Sequence, residues 1–355
     1  MAESAEETWA NILIGQKVGA FTICAYRGGG AFGLVFEATD SKGSEVAIKV
    51  LPPGPGLSQE VILEFLREGA LLGELRKASN VVDLVEVGNH ELVLTTELGL
   101  KVPLGLHYMA LEIAAGSLQD LILAAESISL QEKFSLWRGA VLGVHQMHLR
   151  SVVHRDIKSD NCLLFILPKK RTVCKMADLG RARDFTQPPM IPPEQYLAGR
   201  GDLRFAPPEF LWLQGVDSPE SHKLADLYGL GSLLFEVIVG QGITGLTLGP
   251  GPEVVRQSFM DGHAGKSVGL SFLQGAYAPA FEIFSSYLPS GIRKQATDLV
   301  SQLCHPVPER RLPVQRGAKG RQQQEPGLNW LLRKVDILTK IIAMDEQKVP
   351  HLTDR

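Results

Sequence analysis

The octapeptide HRDIKSDN at 154–161 sets His154, Arg155, Asp156, Lys158, Asp160 and Asn161 directly after the apolar pair Val152 and Val153. A run of mixed charge is usually a solvated loop. Here the spacing carries more: Asp156 and Asn161 stand five apart with Lys158 between them. One loop could present a carboxylate to a hydroxyl, an ammonium to a phosphate in transfer, and an amide oxygen to a divalent metal. Further along, TVCKMADLG ends in Asp178, Leu179 and Gly180, and a carboxylate at a strand end followed by glycine is a sound position for a metal ligand. Upstream, GGGAFGLVF at 28–36 fits G-x-G-x-x-G-x-V through Gly28, Gly30, Gly33 and Val35. Without Cβ atoms, such a hairpin can lie close over phosphates with its N–H groups as donors, although taken alone it also reads as a tight turn.

Lys49 lies sixteen residues beyond Gly33 in the apolar segment VAIKV. By the period-two rule it could simply point to solvent. Glu68, nineteen residues later, sits in a helical pattern whose apolar stripe of Ile62, Phe65, Leu66 and Leu72 should face a sheet. A lysine–glutamate pair across strand and helix would aim the ammonium at phosphate oxygens.

The elements that must carry these residues change in texture near residue 110. Before it, FTICAYRG, LVFEATD and EVAIKVL read as an antiparallel meander joined by turn sequences, and QEVILEFLREGALLGELRKA reads as one helix with Ser58 as N-cap. Two more strands are expected around VVDLVEVG and LHYMALEI, with NHELVLTTELGLKVPLG as a long connection between them. Beyond that the pattern is helical: SLQDLILAA, LQEKFSLWRGAVLGVHQMHLRS, LADLYGLGSLLFEVIVG, IRKQATDLVSQLC and NWLLRKVDILTKIIAM. The Gly-rich stretch 240–277 has weak periodicity and is expected to hold little regular structure. The glycine motif stands between two strands instead of a strand and a helix, which argues against a dinucleotide-binding fold.

Composition bounds the rest. At 355 residues and 45% hydrophobic, the chain is long enough for two lobes with sizeable cores. A net charge of −3 supplies no global field for nucleic acid or an anionic membrane, so neither is expected as a partner. Cys24, Cys162, Cys174 and Cys304 form no C-x-x-C pair, the first residues are acidic, and no uncharged apolar run reaches ~18 residues, so a cytoplasmic location without a membrane span in these residues is expected.

Taken together, these motifs resemble the eukaryotic-type protein kinase family over roughly residues 15–315. GGGAFGLV resembles the glycine-rich loop, VAIK the strand carrying the phosphate-binding lysine, and Glu68 its helix partner. HRDIKSDN resembles the catalytic loop, with Asp156 as base and Asn161 as metal ligand, and ADLG resembles the segment carrying a second metal ligand, Asp178. PPE at 207–209, Asp226 in ADLYGLGSLLFE and Arg311 in PERRLP resemble the family's structural anchors, with Arg311 the ion-pair partner of Glu209. Lys158 resembles the serine/threonine class, and the Gly/Pro-rich linkers resemble bacterial members.

The resemblance implies an α+β, bilobal protein-kinase-like fold: an extension at 1–14, a small antiparallel β lobe with one main helix at 15–111, a larger, mostly helical lobe at 112–315, and a linker with an amphipathic helix at 316–355. It implies transfer of the γ-phosphoryl of Mg-ATP, with Mn2+ as the other candidate ion, to a serine or threonine hydroxyl of a protein substrate. Lys49, Glu68, Asp156 and Lys158 would be catalytic, and Asn161 and Asp178 metal ligands. ATP would meet Gly28, Gly30, Gly33, Val35, Ala47 and Lys49, with Leu111 in the gatekeeper position, backbone groups of Glu112 and Ala114 at the adenine edge, and Leu163 below the ring. A small-molecule kinase usually lacks the lysine after the catalytic aspartate, and a pseudokinase scaffold would be expected to have lost a key residue.

Some positions depart from the family pattern. Leu179 replaces the usual aromatic beside Asp178, and Asp202 stands where a threonine is usual. A carboxylate brought ~4 Å from Asp156 would be repelled by about 4 kcal/mol at an effective dielectric of 20, so Lys158 is expected to bridge the two and one carboxyl to stay protonated to higher pH. Arg155 resembles the arginine that receives a phosphorylated loop residue, yet between Asp178 and Glu209 only Thr186 and Tyr196 carry hydroxyls. An acid such as Glu194 is therefore expected to replace that phosphate.

Overall fold

Period-two alternation builds the N-terminal third of the chain. In the computed structural model, which describes residues 5–30, 33–54, 57–95, 99–124, 128–189, 192, 196, 202–249, 251–263, 269–313 and 327–348, the chain divides into two units: 1–115 with 177–180, and 116–176 with 181–355. In the first, strands β1 (Lys17–Val18), β2 (Phe21–Gly30), β3 (Gly33–Thr39), β4 (Glu45–Leu51), β5 (Leu84–Thr95) and β6 (Lys101–Glu112) form a six-stranded sheet in the order β1-β2-β3-β4-β6-β5. All its pairings are antiparallel. Leu34, Phe36, Ala38, Val46, Ile48 and Val50 enter one core, while Val35, Ala47 and Lys49 alternate to the opposite face. Helix α1 (Ala5–Leu13), in the stretch read as an extension, adds Ala10 and Leu13 to that core.

Helix α2 (Gln59–Glu74) starts at Ser58, whose hydroxyl accepts the Val61 N–H at 3.3 Å. Its inward stripe differs from the expected one: Leu66 is 40% exposed, and the buried positions are Phe65, Glu68, Gly69, Leu71 and Leu72. Residues 65, 68, 69 and 72 share a face at helical spacing, so the helix is turned to bring Glu68 inward. Gly69 sits there because a Cβ would approach the Val87 side chain to 3.2 Å. The expected connection at 89–105 is also corrected. It is largely strand, because β5 and β6 form a hairpin paired from Leu84↔Leu111 to Thr95↔Lys101. Leu92 and Leu106 are buried from within that stretch.

In the second unit, β7 (Gly116–Ser117), β9 (Cys162–Leu167) and β10 (Arg171–Met176) form one small sheet, and β8 (Val152–Val153) pairs with β11 (Arg183–Asp184). Around them lie α3 (Leu118–Leu123), α4 (Leu130–His148), α5 (Pro208–Leu211), α6 (Pro219–Val239), α7 (Ile243–Leu248), α8 (Gly251–His263), α9 (Gln274–Ser286), α10 (Ser290–Leu303) and α11 (Asn329–Lys348). Every residue of α6 from Ala225 to Ile238 is buried, as its all-round apolar sequence requires of a core helix. The stretch 240–277, expected to be irregular, holds α7, α8 and the start of α9. Gly240 and Gly249, both at φ 87°, end α6 and α7, and leave α7 only six residues, too few to show a clean period. Helix α11 packs on α4 through Leu331, Val335 and Leu338, with Arg138 Nε 2.5 Å from Asp336 and the Leu328 N–H donating to His145 Nδ1 at 2.9 Å. The linker sequence before it falls on residues 314–326, outside the described residues.

The expected Glu209–Arg311 pair is present. Arg311 Nη1 and Nη2 each stand 2.6 Å from a different Glu209 oxygen, with both side chains buried, and Arg311 also donates to the carbonyls of Leu224 and His305. Removing one partner of such a pair leaves a buried charge without its counterion. Glu209→Gln is therefore expected to lower the unfolding free energy by about 3–5 kcal/mol, measured by denaturant unfolding; a change under about 1 kcal/mol would show that the pair does not anchor α5.

Candidate active site

Within the first unit, β4 and α2 bring together two of the predicted residues and the Asp178 segment supplies a third. Lys49 Nζ lies 2.7 Å from Glu68 Oε2 and 3.4 Å from Asp178 Oδ1. Burial works against the ammonium, but Glu68 and then Asp178 more than offset it and hold Lys49 charged above the ordinary lysine range. Glu68 also accepts the backbone N–H of Leu179, whose side chain is fully buried. The residue after Asp178 is thus fixed to the helix by a hydrogen bond, and an aliphatic side chain serves in place of an aromatic one.

The glycine hairpin closes at the pair Gly30↔Gly33. Gly33, at φ 116°, has no alternative: a Cβ there would lie 2.5 Å from the Val50 carbonyl oxygen. At Gly28 and Gly30 a Cβ would meet nothing within 4 Å, so the packing of the unit does not demand glycine at those two positions. Val35 pairs with Lys49, and Ala47 with Leu111, which puts Val35, Ala47 and Leu111 on neighbouring strands beside the lysine. Glu112 donates its N–H to the Asp83 carbonyl at 3.1 Å, so any backbone contact it makes to a ligand has to come from its carbonyl. Ala114 follows the end of β6 and is part-buried.

Within the second unit the octapeptide is suspended from α6. Asp226 accepts the N–H groups of His154 and Arg155, both at 2.9 Å, and meets His148 Nε2 at 2.8 Å. Burial would raise its pKa, but the His148 ring and the two loop N–H groups hold it below the ordinary carboxylate value. The anchored loop contains Arg155 at φ 70°, and Asp178 of the first unit stands at φ 57°. Left-handed backbone at non-glycine residues costs of order 1–3 kcal/mol and persists only where surroundings enforce it. Lys158 Nζ stands 3.7 Å from the Asp156 carboxylate. Asn161 Nδ2 donates to Asp156 O at 2.7 Å and to Asp156 Oδ2 at 3.2 Å, so Asp156, Lys158 and Asn161 form one cluster. Leu163 is part-buried on β9, paired with Ser117 and Lys175.

One expectation at the edge of this cluster is corrected. Asp202 binds Arg204, whose Nε lies 2.9 and 3.0 Å from its two carboxylate oxygens. Burial would raise its pKa, but Arg204 and, more weakly, Lys158 bring it below the ordinary value, the opposite of the expected direction. A local arginine two residues on supplies the counter-charge that was assigned to Lys158 as a bridge. Arg155 is engaged by backbone and ring: Nη1 donates to the Arg181 carbonyl at 2.9 Å, Nη2 to the Tyr196 carbonyl, and the guanidinium lies 5.0 Å from the Tyr196 ring centroid. Arg183 lies at the same 5.0 Å from that ring, which is buried. Thr186 is exposed and donates to Asp184 Oδ1 at 2.7 Å, while Glu194 lies outside the described residues.

Sequence reasoning missed His148, Tyr196, Ser159, Gln119 and Glu236. Ser159 donates its N–H to Glu236 on α6, and its hydroxyl lies between a Glu236 carboxyl oxygen and Gln119 on α3. Glu236 left one readable signal: a lone carboxylate inside the apolar run YGLGSLLFEVIV, where an unpaired charge would be costly to bury.

The protein kinase domain model matches residues 26–320. Relatives include a probable receptor-like protein kinase of Arabidopsis thaliana, 30% identical over 217 residues (59% of this chain and 23% of that one). The calcium/calmodulin-regulated receptor-like kinase 1 of the same plant is 31% identical over 224 residues (60% and 43%). A putative serine/threonine-protein kinase/receptor of Acanthamoeba polyphaga mimivirus is 29% identical over 213 residues (59% and 11%). The chain thus spans less than half the length of each of these relatives. Among the described residues no helix is long and apolar enough to cross a membrane.

Because Asp226 has its pKa lowered by folding, its contribution to stability is present above the ordinary value of 3.8 and is lost as pH falls through the lower folded-state value. Asp226→Asn is expected to reduce stability at pH 7 and to flatten the acid limb of a stability-against-pH curve below about pH 4. Parallel acid limbs in the two proteins would contradict this account of the loop's suspension.

Proposed function

The chain belongs to the protein kinase domain family, and from that premise we propose that it transfers the γ-phosphoryl group of ATP to a serine or threonine hydroxyl of a protein. The observation that carries the proposal is Lys49 held between Glu68 and Asp178. That arrangement keeps a buried ammonium charged and fixed, as a group that grips phosphate oxygens must be. The lysine after Asp156 and the relatives named as serine/threonine kinases support the choice of hydroxyl. What those relatives' names say of receptors or calmodulin is said of them alone.

The residues suit a hard divalent cation such as Mg2+. Asn161 turns its Nδ2 toward Asp156, which directs its amide oxygen the other way, and Asp178 offers a carboxylate. Among the described residues no group of three or more His, Cys, Asp or Glu could hold an ion. An ion of this kind needs only one or two protein oxygens when phosphates and water complete its shell. Such an ion would be held by Asn161 and Asp178 and, when bound, would neutralise charge on the phosphates.

The remaining work belongs to the chain. Asp156 orients the acceptor hydroxyl and takes its proton, with its carboxylate steadied by Asn161 Nδ2 and Lys158. Lys158 offsets negative charge on the group in transfer, and Lys49, braced by Glu68, positions the α- and β-phosphates. Gly28, Gly30, Gly33, Val35, Ala47, Leu111, Glu112, Ala114 and Leu163 are the residues assigned to the nucleotide.

Labelled ATP, Mg2+ and a generic basic protein provide the test. Asp156→Asn is expected to lower transfer by about 10²- to 10⁴-fold, and Asp178→Asn to leave under about a tenth of it, with both variants folded. Label on a small molecule only, or none in wild type, would favour a small-molecule kinase or a binding scaffold. Since Arg155 is already engaged by carbonyls and Tyr196, phosphatase treatment of the wild type is expected to leave the rate unchanged. A phosphatase-treated protein that is folded but inactive would contradict that.

A further inference from the structure

One buried carboxyl in the second unit has no place in the chemistry above. Glu236 sits on α6 with 4% exposure. Its Oε2 accepts the Ser159 N–H at 3.2 Å, and its Oε1 lies 2.5 Å from the Ser159 hydroxyl oxygen. That same hydroxyl meets Gln119 Oε1 from α3. Ser159 lies between Lys158 and Asn161 and opens the 3-10 turn Ser159–Asn161, which has no side-chain cap of its own. The N–H groups at the start of such a turn need outside acceptors, and Glu236 supplies one.

We propose that Glu236 is a positioning residue of the catalytic loop: in its neutral form it latches Ser159 to the core helix α6 and so fixes Lys158 on one side and Asn161 on the other. The inference rests on the kinase reading above and assigns to that machinery a group outside it.

Proton counting supports the neutral form. A serine hydroxyl has one proton and can donate to only one of the two oxygens beside it. When Glu236 is protonated, its O–H donates to Ser159 Oγ, Ser159 donates to Gln119, and the other Glu236 oxygen still accepts the Ser159 N–H. Every contact is then satisfied with Gln119 as oriented. Ionised, the carboxylate takes the serine proton, two acceptors face each other unless the Gln119 amide turns over, and a negative charge is left buried.

The surroundings act in the same sense. Burial is the main influence on Glu236, the Ser159 hydroxyl and N–H pull the other way, Asp160 of the loop adds repulsion, and Arg204 opposes it. The carboxyl is pushed up to about 7. Ser159 and Gln119 are neutral, so Asp160 and Arg204 are the charged groups that bear on it. For an acid whose pKa is raised by folding, the stabilising contribution is complete below its ordinary value of 4.5 and is lost as pH rises through about 7.

The experiment uses the full chain with ATP, Mg2+ and a generic basic protein, together with hydrogen exchange of the segment 157–163, which needs no activity. Glu236→Gln mimics the neutral acid. It should keep kcat within about two-fold, retain exchange protection and lose the pH dependence that wild type shows between 6 and 8. Glu236→Ala should lower kcat at least about ten-fold with KM for ATP unchanged and lose protection in the loop. If that variant fails to fold, Ser159→Ala, which removes only the hydroxyl, carries the test with an expected kcat loss of several-fold. The proposal is overturned if Glu236→Ala keeps wild-type kcat and protection, if Glu236→Gln is as impaired as Glu236→Ala, or if wild type and Glu236→Gln share one pH profile. Should wild type transfer no phosphate, the kinase reading fails on its own. Exchange then decides the latch, with loss of protection in the alanine variant alone supporting it and equal protection in all three overturning it.

Discussion

A buried ammonium is the constraint on which the first unit depends. Lys49 is 8% exposed, and removing a lysine from water costs several kcal/mol unless anionic partners and hydrogen bonds replace its hydration. Glu68 and Asp178 supply that replacement, and each is delivered by a different element. The lysine requires β4 in its present register, Glu68 requires α2 rotated with its carboxylate inward, and Asp178 requires left-handed backbone. Glu68 then takes the Leu179 N–H as well. One ion cluster therefore ties a strand, a helix and a loop to a single arrangement, and a ligand that prefers this arrangement would find it already formed.

The second unit answers the same kind of problem with carboxylates on a core helix. Asp226 and Glu236 both stand on α6, ten positions apart, and both accept backbone N–H groups of the octapeptide. They differ in their electrostatics. Asp226 has three donors around it and is held below its ordinary pKa, whereas Glu236 has fewer donors and a neighbouring aspartate, and is pushed up to about 7. Environment alone gives two acids on one helix opposite tendencies. Around them the helix is buried without a break from Ala225 to Ile238, mostly by apolar side chains.

Much of this was legible in the sequence where side chains are few in type and fixed in spacing. HRDIKSDN, VAIKV and ADLG mark the cluster residues because each function demands a particular group at a particular offset. The alternation of β3 and β4 and the Ser58 cap were legible for the same reason. The errors occurred where tertiary contacts outweigh local pattern. A search for apolar stripes favours Leu66 over Glu68 and Gly69, although the helix turns the latter two inward. The β5–β6 hairpin hid in a stretch that was read as connection, because apolar residues such as Val93 and Val102 stand on its exposed side and blur the apolar-polar alternation. Helix α7 hid because Gly240 and Gly249 confine it to six residues. Asp202 was matched with a distant lysine when an arginine two residues away was the nearer partner.

The central claim is that Lys49, braced by Glu68, is the group that grips the phosphates of a nucleotide. Calorimetric titration of ATP and of adenosine, each with Mg2+, into wild type and Glu68→Ala measures it directly. The account predicts that wild type binds ATP more tightly than adenosine, and that Glu68→Ala loses about ten-fold or more of the ATP affinity while adenosine binding is unchanged. Equal affinity of wild type for the two ligands, or an unchanged ATP affinity in Glu68→Ala, would contradict it.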